Sequence, residues 1–165
     1  MSEYHTYGFD TFKTVTLVGS TTFKDVFYET AKILTMHGYL ITMPHIFART
    51  EDEKIFDSEF CMLIGPSRED KIAMLKHMGF QRVYEADIVY VINPGMYIGK
   101  HTLAEILYAQ YLGKQVVYLC EPSKCLEDDP ELYYKRKNEQ DKLKPEAINI
   151  LNKYKPYKWV VINDY

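Results

Sequence analysis

No apolar run in this chain approaches the roughly 20 residues that a membrane-spanning helix needs, so no membrane partner is expected. Basic residues are not in excess: 20 Lys and Arg against 23 Asp and Glu leave a formal net charge of −3. That balance excludes a general affinity for nucleic acid, which requires a basic surface. Cysteine is scarce and odd in number. Cys61, Cys120 and Cys125 form no disulfide framework, and the N-terminal MSEYHTYGFD has no basic segment followed by an apolar one. Reduced thiols in a cytoplasmic protein without a secretory signal are therefore expected. Cys120 and Cys125 lack a second Cys or His pair, so no metal site is expected. HExxH, the Walker-type P-loop and GxGxxG are absent, which removes the usual signs of a zinc protease, a P-loop enzyme and a dinucleotide fold. No cofactor is expected.

What the chain does have is the makeup of one ordinary globular domain, spanning residues 1–165. Hydrophobic residues are 47% and charged residues 26% of the chain, enough for a sizeable core. Fifteen Tyr and eight Phe exceed what one small core readily absorbs, and aromatics are common at interfaces, so a homo-oligomer (dimer or higher) is expected.

The hydrophobic pattern alternates between strand and helix periods. TVTLVGS (14–20) is β-rich and closes on Gly-Ser. A helix follows with Phe23, Phe27, Ala31 and Leu34 on one face, Thr22 and Asp25 as a start signal and Gly38 as a stop. YLITMP (39–44) is the second strand, and residues 47–66 read as mixed loop. Ser67 and Asp70 open another helix, with Ile72, Leu75 and Met78 inward and Gly79 weakening its middle. ADIVYVIN (86–93) is the clearest strand, of the type buried on both faces. A helix over 101–112 ends at Gly113, KQVVYL (114–119) is the fourth strand, and residues 121–144 form a charged helix or insertion. A short helix near 145–153 precedes KWVVIND (158–164), read as a fifth strand. Strands alternating with helices predict an α/β, three-layer, flavodoxin- or Rossmann-like fold with a five-stranded parallel sheet in the order 2-1-3-4-5.

In such a sheet a ligand binds beyond the carboxyl ends of the strands, where strand order reverses between strands 1 and 3. Two unusual loops fall there: VGSTTF (18–23) and NPGMYIGKHT (93–102). Each runs into a helix N-terminus, whose free N–H groups suit an anion. Each also has a structural explanation. Gly19 can serve only a tight turn, and Ser20, Thr21 or Thr22 can serve only as a cap. Thr102 and Glu105 fit the S/T-x-x-E capping box, which needs no substrate. A cap, however, needs none of Asn93, Gly95, Tyr97 and Gly99 before it.

TLVGSTTFKDVFYETAKILTMHGYLITMP resembles the first βαβ unit of the nucleoside 2-deoxyribosyltransferase-like proteins. ADIVYVINPGMYIGKHTLAEILYAQYLGKQVVYL is similar to that superfamily's second half, with its Tyr-x-Gly loop, its T-x-x-E helix start and its Gly-Lys before the next strand. The similarity covers roughly residues 14–119. It implies a flavodoxin-like fold and cleavage of the N-glycosidic bond of a nucleoside or nucleotide, with the sugar passed to another base or to water. It implies that Glu105 is the nucleophile. It also implies that the loops at Gly19, Ser20 and Thr21 and from Asn93 to Thr102, with Gly95, Gly99 and His101, hold the sugar and any 5′-phosphate. Tyr97 either orients Glu105, lines the sugar pocket or packs.

The chemistry is consistent with a carboxylate at that place. Breaking an N-glycosidic bond creates oxocarbenium character that a carboxylate stabilises or bonds, and the base must leave with a proton. Relatives place an Asp or His eight residues before the Asp of the Ala-Asp that opens strand 3. Here that Asp is Asp87 and the acid's position is Gly79. His77, two residues away, is the nearest candidate acid or base, and otherwise a surface residue. Two other readings stay open: a nucleotide-binding or signal-sensing module without turnover, and a lysine-decarboxylase-like phosphoribohydrolase. The latter ranks lower, because PGMYIGKHTLAE carries Tyr97 and a longer loop than its Pro-Gly-Gly pattern.

Overall fold

Thr14–Gly19 forms the first strand, β1, and its Val15, Thr16, Leu17 and Val18 are all buried. Burial on both faces follows from its place at the centre of the sheet, between parallel neighbours on either side. The computed structural model describes residues 12–48 and 67–162. Within them the remaining elements are α1 (Lys24–Met36), β2 (Leu40–Thr42), α2 (Arg68–Glu85), β3 (Ile88–Ile92), α3 (Lys100–Tyr111), β4 (Gln115–Tyr118), α4 (Pro122–Asp128) and α5 (Pro130–Tyr154). The strands pair in parallel in the order β2-β1-β3-β4. The expected alternation, parallel sheet and reversal between strands 1 and 3 are all present. Residues 49–66, with the expected loop and Cys61, and residues 163–165 lie outside the described residues.

The expected fifth strand is not in the sheet: among the described residues the sheet has four strands, and residues 158–162 are irregular backbone. Lys155 and Lys158 adopt left-handed φ of 48° and 68°, which turns the chain twice and keeps it off the sheet edge. It docks instead on helices. Tyr108 Oη donates to Tyr157 O at 2.7 Å and Tyr111 Oη to Lys158 O at 2.9 Å. The Asn152 side chain both donates to Ile162 O (2.6 Å) and accepts from Ile162 N (3.0 Å), satisfying backbone groups that a ladder would otherwise take.

The expected division between a charged segment over 121–144 and a separate helix near 145–153 is also absent. α5 runs through Pro145 to Tyr154, with Ala147, Ile148 and Leu151 buried beyond it. The missing N–H falls at an exposed position, and packing of the following turns against the core outweighs the lost hydrogen bond.

Two apolar clusters fill the layers on either side of the sheet. One gathers Val15, Leu17, Phe27 and Met43, with Phe23, Ala31 and Leu34 packed against it, and so buries the expected face of α1. The other joins Val89 and Val91 to Phe80 and Val83 of α2, to Ala104, Tyr108 and Ala109 of α3, and to Ala147 and Leu151 of α5. The α2 face expected to point inward differs. Gly79, Phe80 and Val83 are buried, whereas Ile72 and Met78 are exposed and, with Leu75, face a cavity. Ser67 caps α2 as expected, its Oγ accepting from Asp70 N at 3.0 Å. Asp87 lies at the opposite end of β3 from the cavity, its Oδ2 accepting from Thr14 N at 2.9 Å.

Candidate active site

A cavity of about 550 Å³ opens at the carboxyl ends of β1, β2 and β3, within the roughly 300–1,000 Å³ of small-molecule sites. Its walls are the loop after β1 (Gly19, Ser20, Thr21), the chain after β2 (Pro44 to Ala48), one side of α2, and the loop and first turns of α3. It sits beside the β1–β3 reversal, where an open α/β sheet is expected to bind.

Glu105 lines this cavity and does not cap a helix. α3 begins at Lys100 with Gly99 as its N-cap, and no side-chain cap hydrogen bond is made there. Thr102 is thus the third helical residue and Glu105 the sixth, a turn too deep for a capping box. Its carboxylate points across to α2. A Cβ placed on Gly79 would lie 3.3 Å from Glu105 Oε2 and 3.8 Å from Arg82 Nη2. Gly79, the position of the expected acid, is therefore the point where Glu105 and Arg82 converge, and the lack of a side chain leaves them room.

Surrounding protein atoms push the Glu105 carboxyl up to about 7, against the opposing pull of Lys76 and Arg82. Burial lowers the Lys76 ammonium and the Arg82 guanidinium in turn, with Glu105 opposing both shifts. His101 is pushed down to about 4 by burial and by Lys76, Lys100 and Lys153. It is therefore neutral at physiological pH, and its Nδ1 is buried without a hydrogen-bond partner.

The Glu105 shift has a consequence for stability. Between pH 4.5 and about 7 the unfolded chain ionises this carboxyl while the folded chain keeps it protonated, so the folded state loses stability as pH rises through that window. Glu105→Gln mimics the protonated form. Its advantage over wild type should be near zero at pH 4, grow to at most about 3 kcal/mol, and level off above pH 7. Urea midpoints measured at pH 4, 6 and 8 check this; a constant difference between the two proteins contradicts it.

The other expected site residues divide. Gly19, Ser20, Thr21, Tyr97, Gly99, His101 and Thr102 line the cavity with Glu105. Tyr97 stands at the rim, 42% exposed, edge-on to Phe23 and with the Arg136 guanidinium 5.8 Å over its ring. No hydrogen bond joins it to Glu105 among the described residues. Ser20 Oγ is engaged within its own turn, 2.9 Å from Thr22 Oγ1, and the Thr22–Asp25 start signal is unused because α1 is capped at Phe23.

Asn93, Gly95 and His77 are not brought to the cavity. Asn93 is fully buried and extends the β3–β4 ladder with its side chain. Its Nδ2 donates to Cys120 O at 3.0 Å and its Oδ1 accepts from Cys120 N at 2.8 Å. Asn93→Ala should lower stability by about 2 kcal/mol by orphaning both Cys120 groups, read as a lower urea midpoint with an unchanged slope. Gly95 is exposed, adopts φ +60°, and its carbonyl accepts from Arg136 Nε at 3.0 Å. His77 lies on another side of α2, edge-on to Tyr154, beside a second cavity of about 370 Å³.

Lys76, Arg82 and Lys100 line the cavity and were missed as site residues by the sequence reading. A signal for the first two was present: they lie three residues before and three after Gly79, a spacing that puts all three on one helix face. No protein-family model, curated protein or solved structure matches this chain.

Proposed function

We propose that this protein cleaves the N-glycosidic bond of a nucleoside or nucleoside 5′-monophosphate, with Glu105 as nucleophile and the sugar passed to water or to a second base. The observation that carries the reading is Glu105 itself. It is a carboxylate relieved of any capping role, aimed into a ligand-sized cavity at the sheet's reversal point. In the first step its oxygen bonds to the anomeric carbon as the C–N bond breaks and the electron pair leaves with the base nitrogen. In the second, water or another base attacks the same carbon and releases the carboxylate. The leaving nitrogen needs a proton or a strong hydrogen bond. With Gly79 in the acid's position, no acidic side chain stands there, and the charges that bear on Glu105 are those of Lys76 and Arg82. The apolar side of α2, Ile72, Leu75 and Met78, offers a surface on which a flat base can lie.

One observation favours a second reading, a nucleotide-binding module without turnover: no carboxylic acid faces Glu105 from Gly79. A screen of nucleosides and 5′-monophosphates for release of free base separates the two. Base release supports the enzyme, and binding with no release supports the module. Adding a second base then divides exchange, the mark of a transferase, from formation of free sugar, the mark of a hydrolase. A cytoplasmic homo-oligomer is part of the proposal, in keeping with exposed Tyr157, Val160, Val161 and Ile162 and with helices none of which, among the described residues, is long and apolar enough to cross a membrane. Light scattering showing a monomer at working concentration removes the oligomer.

A further inference from the structure

Among the described residues lining the cavity, charge is lopsided: Lys76, Arg82 and Lys100 are cations and Glu105 is the one carboxylate. Composition does not explain this, because the whole chain is acidic by three charges. Lys76, Arg82 and Lys100 make no salt bridge and no side-chain hydrogen bond among the described residues, and burial already disfavours the charged forms of Lys76 and Arg82. Holding Lys76 and Arg82, both partly buried, against a single shared carboxylate is unfavourable unless a ligand completes the charge balance. The loop after β1 offers less: the Ser20 hydroxyl is tied to Thr22 and Gly19 is packed against Ile92.

Cleavage chemistry imposes the same demand. An oxocarbenium centre beside Glu105 also feels the charges of Lys76 and Arg82, which act on that carboxylate, and like charges oppose it. A negative group on the substrate offsets those cations and leaves Glu105 to face the developing charge. We infer that the cavity takes its ligand as a phosphomonoester, and that Lys76 and Arg82, from the α2 face that meets Glu105, hold its charge. The inference rests on the N-glycosidic reading for the sugar and names the charge class of that substrate.

The test is calorimetric titration in a Glu105→Gln background, which stops turnover, with nucleosides of the common bases, their 5′-monophosphates and inorganic phosphate as probes. At least one monophosphate should bind about 100-fold more tightly than its own nucleoside. Lys76→Met and Arg82→Met should each reduce that ratio about tenfold, and Lys76→Arg should retain most of it. Circular dichroism confirms that each variant is folded. A ratio near one for every base, a ratio unchanged in the Lys76→Met/Arg82→Met double variant, or no binding of any monophosphate and of phosphate overturns the inference. The two readings fail separately. Free nucleosides cleaved by wild type without phosphate preference sink the phosphomonoester and leave the glycosidase, whereas phosphate preference without base release does the reverse.

Discussion

Replacing Glu105 with Gln should reduce base release by at least about 10³-fold, because an amide of the same shape cannot bond to the anomeric carbon or offset its charge. Folding should survive. Glu105 makes no hydrogen bond or ion pair among the described residues, and the neutral side chain removes a buried charge instead of creating one. Loss of activity with gain of stability at pH 8 is the signature of a functional group held where it is unfavourable. The pH profile carries the same information. A nucleophile must be ionised, so kcat/KM should rise with pH through an apparent pKa near 7, the value to which burial pushes this carboxyl. Steady-state rates of base release from pH 5 to 9 check both points. A Glu105→Gln variant with wild-type turnover, or a profile flat through neutrality, contradicts them.

Gly19→Ala should be the most damaging single substitution outside the chemistry. A Cβ there would meet Ile92 O at 2.6 Å and Ile92 Cβ at 2.9 Å. The first contact is backbone, and Gly19 and Ile92 are register partners in the β1–β3 pair, so relief requires the two central strands to part. The expected loss is about 3 kcal/mol, or roughly 6–12 °C in Tm for a chain of this size. Ligand binding should weaken too, since the parted strands are the two that carry the cavity loops. Differential scanning calorimetry on the variant measures it; a fall under about 2 °C would mean that the strands are not packed as described. The glycine at this position is thus required by strand packing before any ligand is considered.

The strand over residues 88–92 and the helix after the Asn-Pro-Gly loop were legible in the sequence because burial on both faces and a polar loop rich in Gly leave strong local patterns. The β1–β3 reversal, and with it the place of the cavity, followed from the order of elements. What local pattern could not reveal was which partner each face would meet. Ile72, Leu75 and Met78 have the spacing of a core stripe, yet they wall a cavity, because periodicity reports an apolar face and not what lies against it. KWVVIND has the composition of a strand, but the tyrosine hydroxyls of α3 and the amide of Asn152 hold its first residues on helices. Thr102 and Glu105 have capping spacing, and only the helix start at Lys100 separates that reading from a functional one. Asn93 and Gly95 belong to a loop that looks made for a ligand, but the first closes the sheet and the second receives Arg136. His77 was the nearest titratable neighbour of Gly79 along the chain, but a step of two along a helix points to a different side. Steps of three, to Lys76 and Arg82, reach the site.

The central claim is that Glu105 forms a bond to the sugar. It is most directly tested by mass spectrometry of the intact protein, quenched during turnover of a nucleoside or 5′-monophosphate whose sugar carries a 2-fluoro group, which slows the second step. The expected result is an added mass equal to the sugar moiety, mapped to the peptide containing Glu105 and absent from Glu105→Gln. Base release by the wild-type protein with no such adduct, or an adduct on another residue, contradicts it.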